Sequence, residues 1–391
     1  MTIFVKAKLF LQLLLCLMIK ALCRRRPGRK KYPEIWLFSE RGYDACDNAW
    51  ALFQYVRTVV PGKKVYYILD RHSPEREKVK KCGAVLRRGS LRHLFLYFLP
   101  TVKISTHIFG AAPFPALFCS HVGRARLAAP GPVVFLQHGV TCWDIPALYA
   151  RYTDVDLFLC AAPLEYEFVK ARFGYPEDAV CCSGFARLDA LQETVAARRI
   201  LFLPTWRAAL ASMTREAFLD TPYFSSVQSL LSDPQLSALL EHEKIDLVFA
   251  PHPEMRKFIS CFCVKSPRIS LDMTDIGEQV RKSAMLITDY SSVMFDFAYA
   301  QRPVIYWDAA GLRAPNYPAG YFSRERDGFG PVVSDLSALY IAVADTVRRG
   351  FSMEASYRER ADRFFPQHDR RHCCRNYEAI SAWIEKHRDI W

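Results

Sequence analysis

The chain has 391 residues, half of them apolar (51%), which is more than one ordinary domain holds and enough for two cores. Lys and Arg exceed Asp and Glu by 53 − 40 = 13, a basic excess that suits an anionic partner. No nucleic-acid-binding motif accompanies the excess, and the aromatic residues are scattered through apolar runs, so nucleic acid ranks last among such partners. The 13 cysteines form no CxxC pair, which argues against structural zinc; several lie in apolar runs (Cys160, Cys181, Cys182), as small core fillers of a reducing compartment do.

In chain order, residues 3–22 are apolar with Lys6 and Lys8 near the start, and a basic run from Arg24 to Lys31 follows. The apolar core from Leu9 to Ile19 is too short to cross a bilayer. The dense basic run and the lack of a small-x-small cleavage site oppose a signal peptide. The expectation is a helix lying on the inner membrane face, its basic flank meeting anionic headgroups, over residues 1–31.

From Tyr32 short apolar runs alternate with helical patterns. Strands are expected at Glu34–Phe38, Lys64–Leu69, Gly83–Leu86, Val102–Ser105, Val133–Leu136, Val155–Cys160 and Ala179–Cys182, with helices between them such as Ala45–Val59 and Pro163–Phe173. A polar stretch at Gln192–Arg199 reads as a linker. A second series follows, with strands at Ile200–Leu203, Ile245–Ala250, Met285–Thr288 and Val304–Tyr306. Its helices are expected at Ser226–His242, Asp275–Lys282, Ser292–Ala300 and Asp335–Arg348. The tail Glu354–Trp391 reads as helical and able to pack back. The rhythm predicts two doubly wound α/β domains, 32–195 and 196–391, facing a cleft, with ligands at the carboxyl ends of the strands.

The informative motifs fall at those ends. Thr288-Asp289-Tyr290-Ser291-Ser292 leads from a buried strand into a helix carrying Asp296, and offers hydroxyls and backbone N–H groups to an anion. An ordinary helix cap needs only one of those hydroxyls. His138-Gly139 ends another strand, histidine being the usual general base near neutral pH and glycine permitting close approach. Thr205-Trp206-Arg207 brings a hydroxyl and a potential phosphate clamp, or else a surface arginine beside a packed tryptophan. His252 lies between two prolines that limit its freedom, either to donate to a leaving group or as a stiff turn. Gly184, Arg187 and Asp189 read as a structural turn, as does the Asp154-Val155-Asp156 triplet. There is no GxGxxG, P-loop or GxSxG, and no metal-binding cluster.

Together these residues resemble the CDP-glycerol glycerophosphotransferase family, which primes or polymerises wall teichoic acids. The resemblance rests on His138-Gly139, Gly184 with Arg187 and Asp189, Pro204-Thr205-Trp206-Arg207, His252-Pro253, Thr288 to Ser292 with Phe295-Asp296, and the stretch from Pro303 to Asp308 with Tyr317 and Gly320-Tyr321-Phe322. It implies a GT-B-like fold and transfer of glycerol phosphate from CDP-glycerol to a hydroxyl of a lipid-linked or glycan acceptor, releasing CMP, peripherally at the cytoplasmic face of the membrane. It implies His138 as base, with Arg207, His252, Ser291 and Ser292 on the pyrophosphate and Asp289 or Asp296 orienting that site. No cofactor is called for, although Mg²⁺ could accompany the pyrophosphate with few protein ligands. Gln137 and Val140-Thr141 flank the histidine where the family often has Trp and Thr-Pro, and Ala186 stands where it often has proline. Ribitol phosphate or another CDP-linked alcohol therefore stays open as donor. Two other readings are a GT-B glycosyltransferase using a sugar nucleotide and a non-catalytic nucleotide-binding protein of the membrane surface.

Overall fold

A computed structural model of the chain describes residues 3–25, 34–191, 196–272, 276–313 and 315–390. The backbone divides into two compact units, one comprising residues 1–138, 146–189 and 369–391, the other 139–145 and 190–368. Each is built on a wholly parallel sheet.

The first sheet has seven strands: β1 (Ile35–Ser39), β2 (Lys64–Leu69), β3 (Ala84–Arg87), β4 (Val102–Ser105), β5 (Val133–Phe135), β6 (Leu157–Cys160) and β7 (Val180–Cys182). Their order is β3-β2-β1-β4-β5-β6-β7. The chain winds outward one way from β1, then returns and winds the other way from β4. Because parallel strands buried on both faces must be apolar throughout, β4 and β6 are buried at every position, Lys103 included. The buried Lys103 nitrogen donates to the carbonyls of Leu99, Thr101 and Pro130, and burial holds its pKa well below the usual value for lysine.

The second sheet has six: β8 (Ala197–Leu203), β9 (Asp246–Phe249), β10 (Ile269–Leu271), β11 (Ser283–Thr288), β12 (Val304–Trp307) and β13 (Val332–Val333), ordered β10-β9-β8-β11-β12-β13. This is the same winding, reversing between β8 and β11. Phe202, Phe249, Met285, Ile287, Ile305 and Trp307 form the centre of its core.

Several expectations change in detail. β8 begins at Ala197, inside the stretch read as a linker, because Ala197 pairs with Ser283 and Arg199 with Asp246; residues 192–195 lie outside the described residues. The helix expected at Ser226–His242 is two helices, Pro222–Leu231 and Pro234–Glu243, broken where Asp233 caps the second and Pro234 opens it. Asp275, the expected start of another helix, lies outside the described residues, and that helix is seen as Ile276–Lys282. The division between units falls at Asp189/Ala190. The last helix, His372–Lys386, belongs to the first unit rather than the second, because Cys373 and Ile380 join the core around Trp36 and Tyr377 packs against that indole.

The N-terminal segment is a helix, Ile3–Arg24, and not a separate body: Cys16, Ile19 and Cys23 are buried with Leu94, Tyr97 and Phe98 of the first unit. Its opposite stripe, Phe4, Leu11, Leu14, Met18 and Leu22, is exposed. Among the described residues no helix is long and apolar enough to cross a membrane. The basic residues 26–31 lie outside the described residues.

Candidate functional site

In an open parallel sheet the loops diverge where the winding reverses, leaving a crevice at the strand ends that ligands use. In the second unit this point lies between β8 and β11, and the turns after them are Pro204–Arg207 and Asp289–Ser292. The two turns are joined by one carboxylate. Asp289 is fully buried, and its Oδ1 accepts from the Thr205 N–H at 2.8 Å, the Thr205 hydroxyl at 2.7 Å and the Tyr290 N–H at 2.6 Å. Its Oδ2 takes the Arg207 guanidinium at 2.7 Å. Arg207 is itself held by the carbonyls of Thr205 and Leu312, and its Nε has no partner among the described residues.

The other residues expected here divide into groups. Thr288 turns into the sheet, donating to the Leu203 carbonyl at 2.6 Å, and so ties β11 to β8. The Ser291 hydroxyl accepts from the Val293 N–H at 3.3 Å. Ser292 occupies the cap position of the helix Val293–Tyr299, where its side chain makes no capping bond, and Asp296 is buried on that helix. A Cβ added at Gly139 would collide with the Ser292 hydroxyl, so glycine leaves room for the Ser292 side chain. The strip 139–145 is anchored alongside by the Trp143–Ala319 bridge and the bond from the Asp144 N–H to the Pro318 carbonyl. His252 stacks on Trp206 at 5.5 Å, and its Nδ1 accepts from the Glu254 N–H at 3.2 Å. A ring nitrogen that accepts carries no hydrogen, so His252 bears its N–H on Nε2.

The first unit reverses between β1 and β4, and the turn after β5 lies next to them. His138 Nδ1 is 3.3 Å from the Thr106 carbonyl, an oxygen that can only accept; Nδ1 therefore carries the hydrogen and Nε2 presents its lone pair. The preceding residue, Gln137, has φ +59°, a conformation costly for a residue with a Cβ. Asn48 restrains it: its amide donates to the Gln137 carbonyl at 2.9 Å and the Leu136 carbonyl at 3.3 Å, while its oxygen accepts from the Arg187 N–H at 3.1 Å. Arg187 pairs with Asp47 at 2.7 Å. Asp189 receives the N–H groups of His372 and Cys373, and Gly184, at φ +78°, packs so closely on the His372 ring that a Cβ would overlap it.

His138 is open to solvent on one side and crowded on the others. The crowding disfavours the imidazolium and lowers its pKa below the usual 6.5, with Arg41 and Arg187 adding to the effect and Asp47 opposing it. The ring is therefore neutral at physiological pH, the form a general base requires. Glu40 lies beneath the same turn, accepting from the N–H groups of Cys46, Asp47 and Trp50; burial and the neighbouring Asp47 push its pKa up to about 8.

Asp47, Asn48, Glu40, Thr106 and His107 escape the motif reading. Two of them left a usable signal: Asp47 is a cap residue after β1, and His107 follows β4 just as His138 follows β5. Arg324, which stacks over the Tyr290 ring at 4.0 Å and pairs with Asp308 at 2.9 Å, left none.

Two wholly parallel sheets with polar groups gathered at each reversal point define a doubly wound α/β protein. The sequence profile of the family described as CDP-Glycerol:Poly(glycerophosphate) glycerophosphotransferase matches residues 18–382, and the chain belongs to that family. Minor teichoic acid biosynthesis protein GgaB of Bacillus subtilis (strain 168) is 30% identical over 363 residues, covering 88% of this chain and 39% of GgaB. Teichoic acid glycerol-phosphate transferase of Staphylococcus aureus (strain NCTC 8325 / PS 47) is 27% identical over 149 residues, 37% of this chain and 35% of that protein. The chain thus matches less than half the length of each of these relatives. Among solved structures, the wall teichoic acid polymerase TagF has a TM-score of 0.66 at 15% identity, covering 97% of both chains. S. aureus MnaA, in a co-structure with UDP, has a TM-score of 0.55 at 13% identity over 90% of this chain and 96% of its own. At these identities the likeness establishes the fold.

The Asp289 hub has a measurable consequence. Asp289→Asn removes the charge that balances buried Arg207 and turns an amide toward existing donors. Breaking a buried pair on one side costs roughly 3–5 kcal/mol, so the variant's urea midpoint should fall steeply; an unchanged midpoint contradicts the hub.

Proposed function

We propose that the chain transfers glycerol phosphate, or a related polyol phosphate, from a CDP-polyol to a hydroxyl of a lipid-linked or glycan acceptor, releasing CMP, in synthesis of a teichoic-acid-like polymer. The observation that carries this reading is the His138 imidazole, held through Nδ1 at the end of its strand so that Nε2 presents a lone pair. Supporting it are the family match and the TagF structure obtained after soaking with CDPG. We read the paired units as GT-B-like.

In the proposed reaction His138 accepts the acceptor's hydroxyl proton as that oxygen attacks the phosphorus bearing the glycerol. The bond from that phosphorus to the oxygen of the CMP phosphate breaks, and CMP leaves. His252 donates a hydrogen bond to the departing phosphate. The Arg207 charge, the Thr205 turn and the hydroxyls of Ser291 and Ser292 hold the pyrophosphate, with Asp289 fixing Thr205 and Arg207 in place. Such positioning and charge neutralisation is what phosphoryl transfer needs, since little covalent chemistry falls to the protein. Among the described residues no group of three or more His, Cys, Asp or Glu side chains is arranged for a metal ion. An Mg²⁺ ion accompanying the pyrophosphate would need few protein ligands. We place the protein peripherally on an anionic inner membrane surface, docked through the exposed stripe of the helix Ile3–Arg24, with Lys6, Lys8 and the basic residues 24–31 meeting headgroups.

Purified protein given a prenyl-diphosphate disaccharide should release CMP from CDP-glycerol or CDP-ribitol and nothing from UDP-glucose. Its activity should be flat above pH 6.5 and fall only below it, since the depressed His138 pKa keeps the base neutral down to that range. His138→Ala should abolish release. Turnover of UDP-glucose alone moves the protein to the glycosyltransferase reading.

Leu11→Asp with Met18→Asp should abolish co-sedimentation with anionic liposomes at unchanged melting temperature, the core side of the helix being untouched. Continued sedimentation with the vesicles contradicts the docking.

A further inference from the structure

The first unit holds a second histidine for which the reaction above has no use. His107 follows β4 as His138 follows β5, and the imidazoles lie face to face, their centroids 4.5 Å apart and their planes within 10°. Both rings are tied to Thr106. Its carbonyl accepts from His138 Nδ1, and its hydroxyl lies 2.9 Å from His107 Nδ1. On the far side Arg41 Nε donates to His107 Nε2 at 3.0 Å. That bond makes Nε2 the acceptor and puts the His107 hydrogen on Nδ1, directed at the Thr106 hydroxyl. Both nitrogens of His107 are thus engaged and its tautomer is set.

We propose that His107 is a positioning residue for His138: a flat ring, locked by Arg41 and Thr106, that fixes the plane in which the base presents Nε2 and keeps it in its neutral tautomer. This rests on the reading of His138 as the base. A ring that could rotate about its Cβ–Cγ bond would carry Nε2 away from the acceptor hydroxyl. The stack blocks that rotation from one face, and the Thr106 carbonyl holds the opposite nitrogen.

The charges facing the pair point the same way. Arg41, on the turn after β1, touches His107 directly; Arg88, after β3, also disfavours a charge on it; and Arg187 disfavours one on His138. Asp47, ahead of the helix Asn48–Val59, is the acidic group opposing them at His138. Protonation of both rings would set two imidazolium ions in contact, so the stack persists only with at least one ring neutral. Removing His107 admits water beside His138 and frees Arg41 to leave, and both changes ease protonation of His138.

The test uses the full-length chain, with two variants and two readouts. Imidazole resonances followed by NMR should show His138 titrating at higher pH in His107→Ala than in the unmodified chain. CMP release from CDP-glycerol should lose kcat by roughly 10- to 100-fold, the scale of a small misplacement of a reacting group, with KM for CDP-glycerol within about twofold. His107→Phe keeps a flat ring in the stack and should recover most of the kcat. An unmoved His138 titration, or a loss that falls on KM instead of kcat, overturns the proposal. Absence of CMP release by the unmodified chain would count against the proposed function, and the NMR titration would still decide the role of His107.

Discussion

The strand-end turns of the second unit depend on the buried carboxylate of Asp289. A carboxylate removed from water must be fully paired, or it costs several kcal/mol. Asp289 meets that requirement by drawing three donors from the turn after β8 and one from its own turn. The turns that flank the reversal of the sheet are therefore not independent loops; they close together around Oδ1 and Oδ2. Arg207 is buried in the process, only 8% exposed, with its guanidinium turned inward. The arginine read from the sequence as a potential phosphate clamp, or else a surface residue, is thus a buried group whose geometry is fixed by Asp289 and the carbonyls of Thr205 and Leu312. Pre-organisation of this kind spares a site the entropy of ordering long side chains when substrate arrives.

The first unit arrives at a related solution with different atoms. It has the same strand order around its own reversal. There a neutral amide, Asn48, sits at the centre and joins the strained Gln137 turn to the Arg187 backbone. Strain at Gln137 points the next residue, His138, out of the sheet, and Asn48 and Thr106 hold it there. Glu40 supports the same corner by collecting three N–H groups at the start of the helix Asn48–Val59. One reversal point presents an imidazole, His138, and the other a cationic, hydroxyl-rich turn.

Much of this was legible in the residues. Long apolar runs such as Lys64–Leu69 and Met285–Thr288 declare buried parallel strands, and Pro163 and Asp335 mark helix starts by well-understood chemistry. β10 and β13 escaped because three and two residues carry no periodicity. The break inside Ser226–His242 was written in Ser232-Asp233-Pro234, but an apolar pattern continuing on both sides obscured it. The allegiance of His372–Lys386 to the first unit could not be read locally, because it depends on contacts with Trp36, more than three hundred residues earlier. At the site, strand-end logic found His138, Asp289 and Arg207 as residues. It missed how they are held, because Asn48, Glu40 and His107 act through bonds that close only once distant strands lie side by side.

The central claim is that donor binding and proton removal belong to different residues. Calorimetric titration of CDP-glycerol into the full-length chain, His138→Ala and Arg207→Ala tests this most directly. The account predicts that His138→Ala binds CDP-glycerol as tightly as the unmodified chain while failing to turn it over, and that Arg207→Ala loses binding. Loss of CDP-glycerol affinity in His138→Ala, with Arg207→Ala unaffected, would contradict the assignment of both roles.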